Sequence, residues 1–159
     1  MQKLKCYING QWVESKTTKY MDVFNPSTGE VMAQAPCCTP DEVEQAIQAA
    51  AAAFPAWSET PVMRRVQVLY KLRDLLDEHM DELTELVARE NGKAWGDAEG
   101  DVLKAKEATE QAIAAPNLMM GESLMDTSNQ IDTVMYREPL GVFAGIVPFN
   151  FPAMIPMGW

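Results

Sequence analysis

The sequence predicts an α/β protein in which short strands come first, a layer of helices follows, and a parallel sheet begins near residue 142. Turn signals separate short strand-like runs in the first 36 residues, and apolar residues recur every three or four positions between residues 40 and 115. Residues 142–147 form an uninterrupted apolar run bounded by Gly141 and Pro148. Such a run is typical of a strand that is buried on both faces of a parallel sheet.

The first segment carries two turn signals between runs of strand-forming residues. Asn9-Gly10 is typical of a two-residue hairpin turn, and the stretch NPSTG at 25–29 is typical of a longer turn. We therefore expect short strands, joined by tight turns, in this part of the chain.

A capping box predicts where the first helix begins. Thr39 stands at the cap, Pro40 at the first helical position and Glu42 three residues after the threonine. We expect this helix to end at Pro55, because proline interrupts the helical hydrogen bonds. Thr60-Pro61 repeats the same start signal.

A long second helix is predicted by an apolar stripe. The stripe comprises Val62, Val66, Leu69, Leu72 and Leu76, and Met80, Leu83 and Val87 continue it. Asn91-Gly92 is a helix stop, and the next helix should span about 97–115, with a narrow, Ala-rich buried face and Pro116 after it.

After the helices, residues 123–138 contain two short runs on either side of Ser128-Asn129, which predicts a hairpin. The apolar run at 142–147 needs a parallel neighbour that is reached through a crossover helix, and nothing after Val147 supplies one. We therefore expect the chain to be a fragment of a larger protein.

Composition narrows the classes of partner. The net charge of -10 argues against binding to nucleic acid or to an anionic membrane, and a hydrophobic content of 47% is enough for a core. No apolar stretch is long enough for a membrane span or resembles a signal peptide. Three cysteines are too few and too badly spaced for a disulfide framework. We expect a cytoplasmic protein.

Asn150 is the main candidate for chemistry. It follows the predicted strand at 142–147 by three residues, and ligands of open α/β sheets bind beyond the carboxyl ends of strands. Pro148 and Pro152 stiffen its loop, so that its amide can be aimed at a developing oxyanion. The alternative is that Asn150 hydrogen-bonds nearby backbone in a turn.

Other polar residues are weaker candidates. His79 lies in a helix and is interpreted as an ordinary surface or boundary residue, and no metal site is predicted. Cys37 and Cys38 have no histidine or cationic cluster beside them in the sequence that would activate a thiol. Glu90 and Lys93 are interpreted as a charge pair at a helix end. The chain also lacks the usual glycine-rich dinucleotide motif.

Four motifs occur in the order and spacing of one enzyme superfamily: INGQWVES, NPSTGEV, ARENGK and REPLGVFAGIVPFNFP. From Cys6 to Trp159 the chain resembles the aldehyde dehydrogenase superfamily. Phe149 within PFNFPAMIP, where most of the superfamily has Trp, and the stretch PNLMMGESL look most like the CoA-acylating methylmalonate-semialdehyde dehydrogenase branch.

This resemblance implies the N-terminal part of an aldehyde dehydrogenase fold. Residues 1–120 would belong to the NAD-binding domain, 121–139 would form an oligomerisation hairpin, and 140–159 would start a truncated dinucleotide-binding sheet. The complete enzyme is expected to be a homo-oligomer, either a dimer or a tetramer.

The resemblance also assigns site residues. Ile146, Val147, Pro148 and Phe149 match residues that line the nicotinamide side of the cofactor pocket, and Asn150 matches the amide that binds the thiohemiacetal oxyanion. Lys104 matches a basic residue, usually Arg, that holds the carboxylate of the substrate. A Lys lacks the bidentate fork of Arg, and the alternative for Lys104 is a solvated helix charge.

The implied reaction oxidises a small, carboxylated semialdehyde, such as malonate or methylmalonate semialdehyde. A cysteine thiolate attacks the aldehyde, NAD accepts the hydride, and CoA takes the acyl group. The nucleophilic cysteine of the family lies downstream, so we expect the isolated chain to be inactive. Two alternatives stay open: a hydrolytic aldehyde dehydrogenase that makes a free acid, and a non-catalytic module that associates with a full-length homologue or a separately encoded remainder.

Overall fold

The computed structural model describes residues 2–158, which form a mixed α/β structure with three small sheets. The strands are β1 Gln2–Lys3, β2 Cys6–Ile8, β3 Gln11–Val13, β4 Tyr20–Phe24, β5 Val31–Pro36, β6 Ser123–Ser128 and β7 Ile131–Val134. The helices are α1 Pro40–Glu59, α2 Val62–Glu78, α3 Met80–Asn91, α4 Trp95–Ile113, α5 Ala115–Leu118 and α6 Met154–Met157. The predicted α/β class is confirmed. Among the described helices, none has both the length and the apolar character that crossing a membrane requires.

The N-terminal strands are joined by the predicted turns. β2 and β3 form an antiparallel hairpin around Asn9 and Gly10, whose positive φ angles of 51° and 74° suit a two-residue turn. β4 pairs antiparallel with β5, and β1 pairs parallel with the same strand, which gives the order β1-β5-β4. The turn at 25–29 connects β4 to β5.

Helix α1 begins with the predicted capping box but does not end at Pro55. The Thr39 hydroxyl accepts a hydrogen bond from the Glu42 N–H, and the Glu42 carboxylate accepts one from the Thr39 N–H at 2.7 Å. The helix continues through Pro55, because proline removes only one N–H donor and the hydroxyls of Ser58 and Thr60 bond to carbonyls of the last turn. The prediction of an end at Pro55 was wrong.

Glu42 also connects α1 to the segment between β3 and β4. Its carboxylate accepts a hydrogen bond from the Lys16 N–H at 2.7 Å and another from the Ser15 hydroxyl at 2.9 Å. The bonds from the backbone N–H groups of Thr39 and Lys16 lower the pKa of Glu42 from 4.5 to about 2. The folded state therefore favours the ionised form of the Glu42 carboxyl group.

The predicted second helix differs from the structure at both its start and its middle. Thr60 does not cap it, because the Thr60 hydroxyl donates to the Ala56 carbonyl of α1, and α2 begins after Pro61 without a side-chain cap. The long helix is also divided at His79, where φ is -106° and ψ is 18°. This break lets α2 and α3 each pack against α4.

Helix α4 carries the buried face that the sequence predicts. It starts and ends two residues earlier than the predicted 97–115, and Pro116 lies in the first turn of α5. The buried residues of α4 are Ala98, Asp101, Val102, Ala105 and Thr109. Ala98 and Val102 form the core cluster with Val87 of α3, and Ala153 packs against this cluster. The segment after Asn150 therefore packs against the core.

Residues 142–147 differ from the predicted buried strand. Within residues 2–158 they pair with no strand, and Val142, Phe143 and Ile146 are exposed, Ile146 completely so. A parallel ladder requires a neighbouring strand, and the part of the chain that the structure describes offers none at this position. The prediction that this run is buried on both faces was wrong for the chain as described.

The predicted hairpin that precedes this run is confirmed by the antiparallel pairing of β6 with β7.

Candidate oxyanion site

Asn150 lies in a turn that is held against the corner between α3 and α4. The side-chain amide of Asn91, the last residue of α3, donates a hydrogen bond to the Phe149 carbonyl oxygen at 2.9 Å. On the other side of the turn, the Asp101 carboxylate accepts a hydrogen bond from the backbone N–H of Met154 at 2.8 Å. The backbone is thus fixed immediately before Asn150 and shortly after it.

A third contact uses the ring of Phe151. The Lys93 ammonium lies 4.3 Å from the centre of this ring and 3.0 Å from the second carboxylate oxygen of Asp101. The Asp101 side chain is completely buried, and a buried carboxylate requires such partners for its charge. The interpretation of Lys93 as half of a helix-end pair with Glu90 was wrong, because the partner of Lys93 is Asp101.

Gly92 makes the corner itself possible. Its φ of 79° lies in the left-handed region, and a Cβ added there would lie 2.8 Å from Cγ of Pro26. Glycine is therefore required both for the backbone conformation and for the close approach of the turn at 25–29. This geometry places Asn91 and Lys93 on either side of one tight bend.

A cavity of about 760 Å³ adjoins the Asn150 turn. Its walls are mainly apolar side chains of α2, α3 and α4 and of residues 147–149. The polar members of the described lining are Glu90, Asn91 and Asn150. The arrangement combines apolar walls with a few amide and carboxyl groups, as is common in sites for small ligands.

Comparison with known proteins establishes the family. The family model described as "Aldehyde dehydrogenase family" matches residues 12–159. The chain belongs to the aldehyde dehydrogenase family. Malonate-semialdehyde dehydrogenase 1 from Geobacillus kaustophilus is 49% identical over 154 residues, which is 97% of this chain and 32% of the relative. Malonate-semialdehyde dehydrogenase from Bacillus pumilus is 49% identical over 156 residues, with 98% and 32% covered.

Solved structures show the same relationship. The methylmalonate-semialdehyde dehydrogenase from Oceanimonas doudoroffii superposes with a TM-score of 0.93 at 41% identity, over 99% of this chain and 32% of that one. A Sinorhizobium meliloti protein described as a methylmalonate-semialdehyde dehydrogenase, in complex with NAD, gives 0.93 at 38% identity, again over 99% and 32%. This aldehyde dehydrogenase chain therefore spans about a third of the length of its relatives. The resemblance drawn from the motifs is confirmed.

The structure brings together most of the site residues predicted for an aldehyde dehydrogenase. Asn150, Val147, Pro148 and Phe149 all line the cavity. Ile146 is fully exposed and lies outside the cavity lining described for residues 2–158. Among the described residues, no backbone group receives a hydrogen bond from the Asn150 side chain.

Lys104 lies apart from this group. It is exposed on α4, where its ammonium is 2.6 Å from the Glu107 carboxylate, and it does not line the cavity described in residues 2–158. A pair at spacing i,i+3 on an exposed helix face is typical of a solvated charge.

Two residues that hold the Asn150 turn, Asn91 and Asp101, were not predicted from the sequence. The signal for Asp101 was present in the sequence, because this carboxylate stands on the Ala-rich face that was predicted to be buried. A carboxylate on a buried face indicates a specific partner. Asn91 carried no comparable signal, since Asn before Gly is also a common helix end.

Proposed function

We propose that this chain provides the oxyanion-binding turn of an NAD-dependent enzyme that oxidises malonate semialdehyde or a similar small, carboxylated semialdehyde and transfers the acyl group to CoA. The names of the relatives support the substrate class. The observation that carries the proposal is the anchored turn, in which Asn91 and Asp101 fix the backbone on both sides of Asn150.

The role of Asn150 follows from its amide donors. When a thiolate attacks an aldehyde, the carbonyl oxygen gains negative charge, and a donor that is already in place stabilises this charge without reorganisation. From the family resemblance, we expect the attacking cysteine to lie downstream of these residues in the sequence of the complete enzyme. The contribution of this chain is therefore to hold the amide of Asn150 in position and to leave it free to donate.

NAD, when bound, supplies the hydride acceptor. Val147, Pro148 and Phe149 give the cavity an apolar wall, and such a wall suits a flat aromatic ring like nicotinamide. Ile146 belongs to the same proposed wall, and its complete exposure leaves its side chain free to contact either the cofactor or a further part of the enzyme. For Lys104, the pairing with Glu107 favours a solvated charge over a contact with the substrate carboxylate.

From the family resemblance we also propose the domain assignment. Residues 1–120 belong to the NAD-binding domain, 121–139 form the oligomerisation hairpin and 140–159 start the dinucleotide-binding sheet. The β6–β7 hairpin exposes the side chains of Leu124, Met125, Ile131 and Val134. An exposed apolar hairpin of this kind is suited to contacts between copies of the enzyme.

One observation favours a second candidate function. The run at 142–147 has exposed apolar side chains and no strand partner within residues 2–158. Such an edge can receive a strand from another chain, as expected for a non-catalytic module that associates with a full-length homologue. Size-exclusion chromatography with and without the Geobacillus kaustophilus enzyme tests this function, and a lack of co-elution would reject it.

The main proposal is tested by Asn150→Ala in a full-length enzyme, built by replacing the matching third of the Geobacillus kaustophilus enzyme with this chain. We expect kcat to fall by about 10²–10³, as is typical when one oxyanion donor is removed, with little change in the Kd for NAD or in the Tm. Asn117→Ala, on the exposed part of α5, is the matched control and should keep full activity. Unchanged kcat for Asn150→Ala would reject the oxyanion role.

The same enzyme separates acyl transfer from hydrolysis. With malonate semialdehyde and NAD, we expect product release to depend on CoA and an acyl-CoA to accumulate. Formation of free acid at the same rate with and without CoA, and with no acyl-CoA product, would instead establish the hydrolytic alternative.

A further inference from the structure

Two cysteines that are far apart in the sequence meet in the fold. Cys6 lies at the start of β2, Cys38 lies just before the capping box of α1, and their sulfur atoms are 3.2 Å apart although 32 positions separate them in the chain. Both are free thiols. The sequence spacing argued against a disulfide framework, but a contact between two particular thiols is a separate property that only the fold creates.

We propose that Cys6 and Cys38 form an oxidisable dithiol site, which small disulfide oxidants convert into an intramolecular disulfide. A disulfide bond is about 2.05 Å long, so the two sulfur atoms need to approach each other by roughly 1 Å. Cys38 lies in a connecting segment outside the strands and helices, so that no strand or helix has to be broken for its sulfur atom to move closer.

The surroundings determine which thiol reacts first. Cys38 is exposed, as is its neighbour Cys37, whereas Cys6 is half-buried. The hydrogen bond with Cys38, followed by partial burial, raises the pKa of the Cys6 thiol above its ordinary value. Cys38 is therefore the thiol that meets the oxidant, and Cys6 completes the bond from a distance of 3.2 Å.

The chemistry is a pair of thiol–disulfide exchanges with oxidised glutathione or a similar small disulfide. The Cys38 thiolate attacks one sulfur of the oxidant, which forms a mixed disulfide and releases one small thiol. Cys6 then loses its proton to solvent and attacks the Cys38 sulfur, which releases the second small thiol. In total, two protein thiols are oxidised and one small disulfide is reduced to two thiols.

The bond would join the first hairpin to the beginning of α1. The Thr39–Glu42 capping box lies directly after Cys38, and Glu42 also holds the segment between β3 and β4. A covalent link at this point restricts the unfolded chain between residues 6 and 38. We expect the oxidised protein to have a Tm several degrees above that of the reduced protein.

The test is titration of thiols and non-reducing peptide mapping after incubation of the folded, full chain with oxidised glutathione. Of the three thiols, two should disappear together, and the map should show Cys6 joined to Cys38. Cys37→Ser is the matched control, since it removes the adjacent thiol and should still form the bond. Cys6→Ser and Cys38→Ser should each prevent it and leave only glutathione adducts.

Several results would overturn the proposal. A vicinal Cys37–Cys38 bond as the main product, disulfides between chains, or glutathione adducts alone in the unsubstituted protein would each do so. The same incubation in concentrated guanidinium chloride should abolish the preference for the Cys6–Cys38 pair, because the fold is what brings them together. A preference that persisted in denaturant would contradict the structural origin of the site. These outcomes do not depend on aldehyde oxidation.

Discussion

The side-chain amide of Asn91 and the backbone carbonyl of Phe149 are joined by a 2.9 Å hydrogen bond that spans 58 positions of the sequence. Asn91 ends α3 at the corner that Gly92 closes, and Phe149 immediately precedes Asn150. The position of the proposed oxyanion donor is therefore set by the end of a helix that lies much earlier in the chain.

Asn91→Ala should loosen the turn without unfolding the protein. We expect kcat of the full-length enzyme to fall about tenfold, because displacement of a catalytic group by a fraction of an ångström is costly. In the isolated chain, the backbone amides of residues 149–151 should exchange with solvent faster. Asn117→Ala, on the exposed part of α5, is the control. An Asn91→Ala enzyme with normal kcat would show that the bond to Phe149 does not position Asn150.

Asp101→Asn should destabilise the chain by about 3 kcal/mol, because it leaves the Lys93 ammonium without its buried partner. Urea denaturation measures this loss. The double variant Lys93→Met, Asp101→Asn should recover at least half of it, since no unpaired charge then stays inside. A double-mutant cycle on the exposed pair Glu85 and Arg89 of α3 is the matched control, and the interaction energy between these two side chains should be below about 0.5 kcal/mol. Equal interaction energies for the buried and the exposed pair would contradict the effect of burial.

Glu42 should make stability depend on pH in the acid range. Its pKa is lowered from 4.5 to about 2 on folding, so its contribution is complete above the unfolded value and is lost as the pH falls towards 2. The difference in unfolding free energy between the unsubstituted protein and Glu42→Gln should therefore be largest above about pH 5 and shrink towards pH 2. Asp77, whose pKa is also lowered, chiefly by Lys106, is present in both proteins and cancels.

The control for this measurement is Glu44→Gln on the same helix. Glu44 is exposed, and its carboxylate accepts a hydrogen bond from Gln48. Its replacement should cost less stability at neutral pH than that of Glu42, which binds two backbone N–H groups. A Glu42→Gln protein whose difference from the unsubstituted protein stays constant between pH 6 and about pH 2 would disprove the linkage.

Hydrogen exchange of the isolated chain should distinguish its helices from its apolar run at 142–147. Amides within α2 are protected by helical hydrogen bonds, whereas residues 142–147 form no strand ladder within residues 2–158. We expect protection in α2 to exceed that at 142–147 by at least 100-fold, which corresponds to about 2.7 kcal/mol. Equal protection in the two segments would mean that residues 142–147 are already covered.

The isolated chain should also show no aldehyde oxidation.

The parts of the fold that the sequence predicted correctly rest on contacts between residues close together in the chain. The capping box at Thr39 and Glu42 and the hairpin turn at Asn9 and Gly10 are complete within a few residues, so the residue types alone indicate them. Thr60 shows the limit of such signals, because the same hydroxyl can cap the helix before it or the helix after it. In the structure, the Thr60 hydroxyl bonds to the Ala56 carbonyl of α1 and so serves the helix before it, and no local sequence pattern reveals that bond.

The anchoring of the site was beyond sequence reasoning for a different reason. Asn150 was found through its unusual neighbours, but the groups that hold its turn lie about 50 residues away, as the bond between Asp101 and Met154 illustrates with its 53 positions. Whether two such residues meet depends on how α3 and α4 pack. The separation of Cys6 from Cys38 posed the same difficulty.

The position of these anchors in the chain has a consequence for biosynthesis. Asn91, Lys93 and Asp101 all precede the turn that they hold. A ribosome therefore releases the corner of α3 and α4 before it releases Asn150, and N-terminal regions can begin to fold while translation continues. The proposed oxyanion donor therefore emerges after the residues that anchor its turn, so that these anchors can be in place before the turn reaches them.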